Sequence, residues 1–144
     1  MKTLFLSLNL IILPLFFNIC FAQQSALDDF KTGDIIISDN GSIANDKYGL
    51  SSKPYDEFVA GIFHEEKQDN PRLRKYPIKR EGIYLVKFNS ENGPIKKGDI
   101  VTTSSEPGVA MKATESGMII GIALEDANGE SGLVKIRILI QYVK

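Results

Sequence analysis

Residues 133–143, LVKIRILIQYV, alternate in character: Val134, Ile136, Ile138, Ile140 and Tyr142 share one side of an extended chain, and Lys135, Arg137 and Gln141 lie on the other. Successive side chains of a strand point to opposite faces, whereas a helix repeats every ~3.6 residues. A period of two therefore predicts a strand with one buried face. Five shorter apolar runs precede it: 35–37, 58–63, 83–88, 100–103 and 118–124. Turn residues separate them, including Asn40-Gly41, Asn92-Gly93-Pro94 and Glu106-Pro107-Gly108. Asn40-Gly41 suits a tight hairpin, because both positions tolerate positive φ. Pro107 and Gly108 suit the two central positions of a type II turn. No window keeps helical spacing for three turns, so the expected class is all-β, a small barrel or sandwich of short strands.

The halves of the chain also echo one another. Lys31-Thr32-Gly33-Asp34-Ile35 parallels Lys96-Lys97-Gly98-Asp99-Ile100, and Val59-Ala60-Gly61-Ile62 parallels Ile119-Ile120-Gly121-Ile122. Lys53 and Lys112 take matching places ahead of the two strand glycines. A glycine inside a strand permits a bulge, a bend or a close backbone approach. An internal pseudo-repeat follows, with Gly61 and Gly121 expected at two equivalent corners of one barrel.

The first residues carry an address. Lys2, the apolar run from Leu4 through Phe17, and Cys20-Phe21-Ala22 form the pattern of a secretory signal peptide cleaved after residue 22. The apolar run is short for a membrane span and is interrupted by Pro14 and Asn18. Phe17-Asn18-Ile19 before Cys20 is unlike the small-residue lipoprotein signal, so Cys20 is read as part of the removed peptide. Removing 22 of the 144 residues leaves 122, enough for one domain, and leaves no cysteine. Disulfides, thiol nucleophiles and zinc–thiolate sites are then excluded from the mature chain. One of the 17 cations goes with the signal, leaving 16 against 18 acids, a net charge of −2. That balance gives no general attraction to nucleic acid. Residues 23–32 are expected as a flexible leader and 33–144 as the β-rich domain, exported to the periplasm, cell surface or exterior, with no transmembrane segment after signal removal.

Candidate chemistry is sparse. In the stretch GPIKKGDIVTTSSEPGVAMKA, residues 93–113, Gly98 is followed by Asp99, which would repel a phosphate, and no helix follows Gly108. Ser104 and Ser105 are candidate nucleophiles without an assignable base. His64 is the only histidine; no His-Glu-x-x-His pair exists, and a strand end facing solvent explains it. Asp28, Asp29, Asp34, Asp39 and Asp46 do not form a calcium loop. No metal, cofactor or catalytic residue is assigned. Arg72, Arg74, Lys75, Lys79 and Arg80 cluster around Tyr76 between Pro71 and Pro77. They are the candidate partner-binding residues, for an anionic surface or polysaccharide; the alternative is a solvated loop paired with nearby acids. Asn40-Gly41-Ser42 also matches a glycosylation sequon, which the hairpin explains in a bacterial context.

The stretch 93–113, followed by GMIIGIALED, resembles the C-terminal β-rich domain of bacterial and phage fibre-like proteins, a group similar to the peptidase G2 and intramolecular-chaperone end domains of phage appendages. GDIIIS, LSSKPYDEFVAGI and GIYLVKF resemble its earlier strands in the same order, so the likeness spans residues 33–141. It implies a β-rich end module, often trimeric, at the tip of a longer assembly, and some relatives cleave themselves from it. No cleavage residue of that family maps onto this chain, and a signal peptide and residues 23–32 stand where a fibre or coiled-coil stalk would precede the domain. The expected function is an exported, non-catalytic structural or adhesive module that forms a homo-oligomer, a trimer by preference. The alternatives are a small autoproteolytic domain using Ser104 or Ser105 and a periplasmic ligand-binding barrel.

Overall fold

A computed structural model describes residues 30–38, 48–66 and 77–144. Nine strands and no helix occur among them: β1 (Ile35–Ser38), β2 (Tyr48–Leu50), β3 (Val59–Phe63), β4 (Ile78–Lys79), β5 (Glu81–Asn89), β6 (Ile100–Thr103), β7 (Ala110–Lys112), β8 (Gly117–Ala123) and β9 (Ser131–Val143). They make a four-stranded sheet, β2-β1-β3-β4, and a closed five-stranded barrel, β5-β7-β6-β8-β9. All neighbours are antiparallel except β5 and β7, which meet in parallel at Phe88 and Ala110. The fold is all-β, as the alternation predicts. No helix among the described residues is long and apolar enough to cross a membrane.

The alternation in β9 sorts its side chains as expected. Val134, Ile136 and Ile138 are buried, while Lys135, Arg137 and Gln141 are exposed. Tyr142 departs from the expectation and is exposed, because β9 outlasts its partner β5, whose pairing stops at Leu139. The main core gathers Val86 and Phe88 of β5, Val101 of β6, Ile120 of β8 and Val134, Ile136 and Ile138 of β9, together with Ile35 and Ile62 from the other sheet. One core therefore joins both sheets into a single unit. A smaller cluster, Ile36, Ala60 and Phe63 with Phe30 and Leu50, covers the opposite face of the first sheet. This is why all five residues of β3 are buried.

The repeat is real, and its register is detailed. β2-β1-β3-β4 and β7-β6-β8-β9 have the same strand order. Gly61 pairs with Ile36 and Gly121 with Val101; Ile62 pairs with Lys79 and Ile122 with Arg137. The turns entering the two halves match bond for bond. Lys31 N–H donates to Asp34 Oδ2 at 2.7 Å, and Lys96 N–H to Asp99 Oδ2 at 2.8 Å. Gly33 N–H donates to Phe63 O at 2.9 Å, and Gly98 N–H to Ala123 O at 2.8 Å. Both turns need positive φ at the glycine, +96° at Gly33 and +89° at Gly98, a conformation that costs glycine nothing. Glu81, two residues beyond Lys79, pairs with Leu139, two residues beyond Arg137. Equivalent residues opposed across an antiparallel ladder are what a local two-fold axis produces.

Two expectations are corrected. Gly61 and Gly121 are not two corners of one barrel: each half builds its own sheet, and only the second, completed by β5, closes. The equivalent of Lys112 is Leu50, since Leu50 pairs next to β1 as Lys112 does next to β6; Lys53 lies beyond β2, with its ammonium 5.4 Å from the centre of the Phe58 ring. The Asn40-Gly41 turn expected between β1 and β2, the expected signal peptide 1–22 and most of the expected leader lie outside the described residues. Of the leader, the Phe30 ring packs edge-on against Phe63, and Lys31 opens the first turn, so ordered contacts begin ahead of Gly33.

Asp99 makes this turn sensitive to acid. Burial pushes its carboxyl up, but the Lys96 N–H bond, the Lys112 ammonium at 2.9 Å and the charges of Lys112 and Lys96 together outweigh it and hold the group below the usual aspartate value. A carboxyl depressed on folding contributes stability above its unfolded value, and that contribution is lost as pH falls through the folded value. Denaturant midpoints are therefore expected to fall below about pH 4, and Asp99→Asn to flatten that acid limb relative to the parent. An unchanged limb would show that the turn carboxylate is not linked to folding.

Candidate interaction surface

The stretch 93–113 folds as strand punctuation. Val109 N–H donates to Glu106 O at 3.2 Å and Gly108 has φ +74°, which closes the expected type II turn at Pro107-Gly108. Ser104 is fully buried; its hydroxyl donates to Val109 O at 2.9 Å and accepts from Glu106 N–H at 3.2 Å. Those bonds give Ser104 a turn-holding role. Ser105 is exposed and its N–H donates to Glu91 at 2.9 Å. Thr102 and Thr103, both buried, bond Met118 O and Lys53 O, which ties the loop after β2 to the barrel. Tyr55 completes that tie by accepting the N–H groups of Thr114 and Glu115 at its hydroxyl.

No hydrogen bond between His64 and either serine occurs among the described residues. The His64 ring lies 5.0 Å from that of Tyr84. Asp34, rather than contributing to a calcium loop, is buried and paired with the Lys87 ammonium. No metal-holding cluster occurs among the described residues; Asp28, Asp29, Asp39 and Asp46 lie outside them. Arg72, Arg74 and Lys75 of the basic segment also lie outside the described residues. Lys79 is half-buried in β4 and pairs with Glu66 at 2.9 Å. Arg80 is exposed and, with Glu57, Phe58, Met118 and Ile140, lines an open cleft of about 250 Å³. The described part of the segment thus places Lys79 in the sheet and leaves only Arg80 outward.

The outer face of β5 and β9 is the surface that sequence reading missed. Cross-strand partners project to the same side, and the register sets Glu81 against Leu139, Ile83 against Arg137, Leu85 against Lys135 and Lys87 against Leu133. Ile83, Leu85, Leu133 and Leu139 are each 41–51% exposed. Aliphatic and charged residues alternate along and across the ladder, so the long charged side chains can lie beside the aliphatics. Asp34 neutralises Lys87, and Glu125 lies 3.9 Å from Lys135. No ion pair of Glu81 or Arg137 occurs among the described residues. Single exposed leucines are ordinary; three leucines and an isoleucine on one two-stranded ribbon, beside an acid and an arginine with no ion pair among the described residues, make a patch able to bury apolar area and form charged contacts at once. The signal was in the sequence, in Leu133 and Leu139 on the polar side of the alternation.

The chain matches none of the known protein families, curated proteins or solved structures with which it was compared.

Proposed function

We propose that the chain is an exported, non-catalytic β-domain that serves as an oligomerising structural or adhesive end module of a cell-surface or periplasmic assembly. The observation that carries this reading is the outer face of β5–β9, where Ile83, Leu85, Leu133 and Leu139 stand exposed on the two longest strands. These side chains stand on the face of a ribbon whose nine cross-strand pairs run from Glu81–Leu139 to Asn89–Ser131, so association there proceeds through side chains on that face. The likeness to fibre-end domains favours a trimer, and an adhesive role would use the Arg72 to Arg80 segment against an anionic surface.

Light scattering on the mature protein tests it. The expected mass is three times that of the chain, and a Leu85→Lys/Leu139→Lys variant is expected to run as a monomer with an unchanged β spectrum and denaturant midpoint. A monomeric parent would remove the oligomerising role. Self-cleavage on incubation, abolished by Ser104→Ala or Ser105→Ala, would replace this reading with the autoproteolytic one.

A further inference from the structure

The two halves differ at one backbone position that their shared register makes equivalent. In the first half, Ser51 N–H donates to Ile35 O at 3.0 Å, but the return bond is not made directly. A peptide from the other half is inserted instead: Ile35 N–H donates to Gly108 O at 2.9 Å, and Gly108 N–H donates to Ser51 O at 2.8 Å. In the second half, Ala113 N–H donates to Ile100 O at 2.8 Å, just as Ser51 does to Ile35. There the matching donor, Ile100 N–H, and the matching acceptor, Ala113 C=O, bond no described residue. Ile35 is fully buried, whereas Ile100 is 37% exposed. An open cleft of about 380 Å³ lies over these groups, lined also by Ser116, Ile119, Val143 and Lys144.

We propose that this cleft is a docking slot for a glycine-bearing extended segment of a partner polypeptide, held as Gly108 is held in the first half. The segment's carbonyl accepts from Ile100 N–H and its amide donates to Ala113 C=O, a short strand addition, while its flanking side chains cover the exposed Ile100. Glycine is selected by the walls. In the occupied slot, a Cβ on Gly108 would come within 3.0 Å of Leu50 Cδ2 and 3.2 Å of Asp34 Oδ1. By register, the counterparts of Leu50 and Asp34 are Lys112 and Asp99, which precede Ala113 and Ile100 in the chain and are joined at 2.9 Å. A side chain on the incoming residue would have to displace that ion pair. The slot lies where β6, the segment after β7, β8 and the last residues of β9 meet, and it shares no lining residue with the proposed oligomer face, Ile83, Leu85, Leu133 and Leu139.

The chain supplies its own probe. A synthetic peptide of residues 103–110, TSSEPGVA, carries the segment that fills the first slot. Added to the mature protein, it is expected to move the amide resonances of Ile100 and of residues 113–116 saturably at millimolar concentration, and to slow hydrogen exchange at Ile100. Replacing its glycine by valine, or by N-methylglycine, which removes the donated N–H, is expected to weaken binding at least about ten-fold, which corresponds to ~1.4 kcal/mol. Peptide variants leave the protein unaltered, so folding does not enter the comparison. Absence of shifts at Ile100, or valine and N-methylglycine peptides that bind as tightly as the parent peptide, would overturn the slot. Protection of Ile100 that rises with protein concentration alone would overturn the partner and assign the slot to a second copy.

Discussion

Gly121→Ala is expected to destabilise the protein by about 3 kcal/mol, near the upper end for overpacking, and Gly61→Ala by a similar amount. A single added carbon suffices, because both glycines lie under a neighbouring backbone. At Gly121 a Cβ would press into the Arg137 carbonyl oxygen and stand 2.8 Å from Ile136 Cγ2; at Gly61 it would press into the Lys79 carbonyl oxygen and stand 2.8 Å from Ile78 Cγ2. Backbone cannot swing aside as a side chain can, so β8 must separate from β9, or β3 from β4. Gly49→Ala is the control. Its Cβ would meet only Ile37 Cγ1 at 3.9 Å, an ordinary contact, and loss of glycine's unfolded-state freedom should leave it neutral or stabilised by ~0.5 kcal/mol. Urea midpoints at constant slope measure all three. Equal midpoints for Gly121→Ala and Gly49→Ala would show that β8 and β9 can part at no cost.

Much of this architecture is legible in the sequence where one physical constraint acts on consecutive residues. β9 is readable because one of its faces is buried and the other wet. The repeat is readable because Lys-x-Gly-Asp-Ile encodes a turn whose glycine must take positive φ and whose aspartate must accept a local N–H. β2 and β4, of three and two residues, carry no period long enough to detect. Distance from the strand glycines points to Lys53 as the partner of Lys112, but Leu50 lies eleven residues before Gly61 and Lys112 nine before Gly121, so the loops of the two halves differ in length. The division into an open sheet and a closed barrel depends on where β5 pairs, with β7 and β9 rather than within the first half, and no local signal states that choice. The outer β5–β9 face was hidden for the same reason: Leu133 and Leu139 become a patch only when the register brings Ile83 and Leu85 beside them.

The same repeat, with unequal surroundings, yields the second large effect. Asp34→Ala is expected to cost about 3 kcal/mol, and the equivalent Asp99→Ala about 1 kcal/mol. Both carboxylates accept a turn N–H three residues back and a lysine ammonium, from Lys87 and Lys112 respectively. They differ in depth. The Asp34 side chain is 5% exposed and lies against the inserted Gly108 peptide, whereas that of Asp99 is 23% exposed. Removing Asp34 takes the acceptor from a part-buried turn bond and leaves a gap where a buried carboxylate lay against the Gly108 peptide, at the contact between the two halves. The Lys87 side chain is 32% exposed, so its ammonium can reach solvent, which keeps the loss at the lower end for a broken buried pair. Removing Asp99 leaves groups that water already reaches. Unfolding free energies of the two variants, measured under identical conditions near neutral pH, decide the point. A smaller loss for Asp34→Ala than for Asp99→Ala would mean that the Gly108 insertion, and with it the joining of the two halves, does not depend on the carboxylate beneath it.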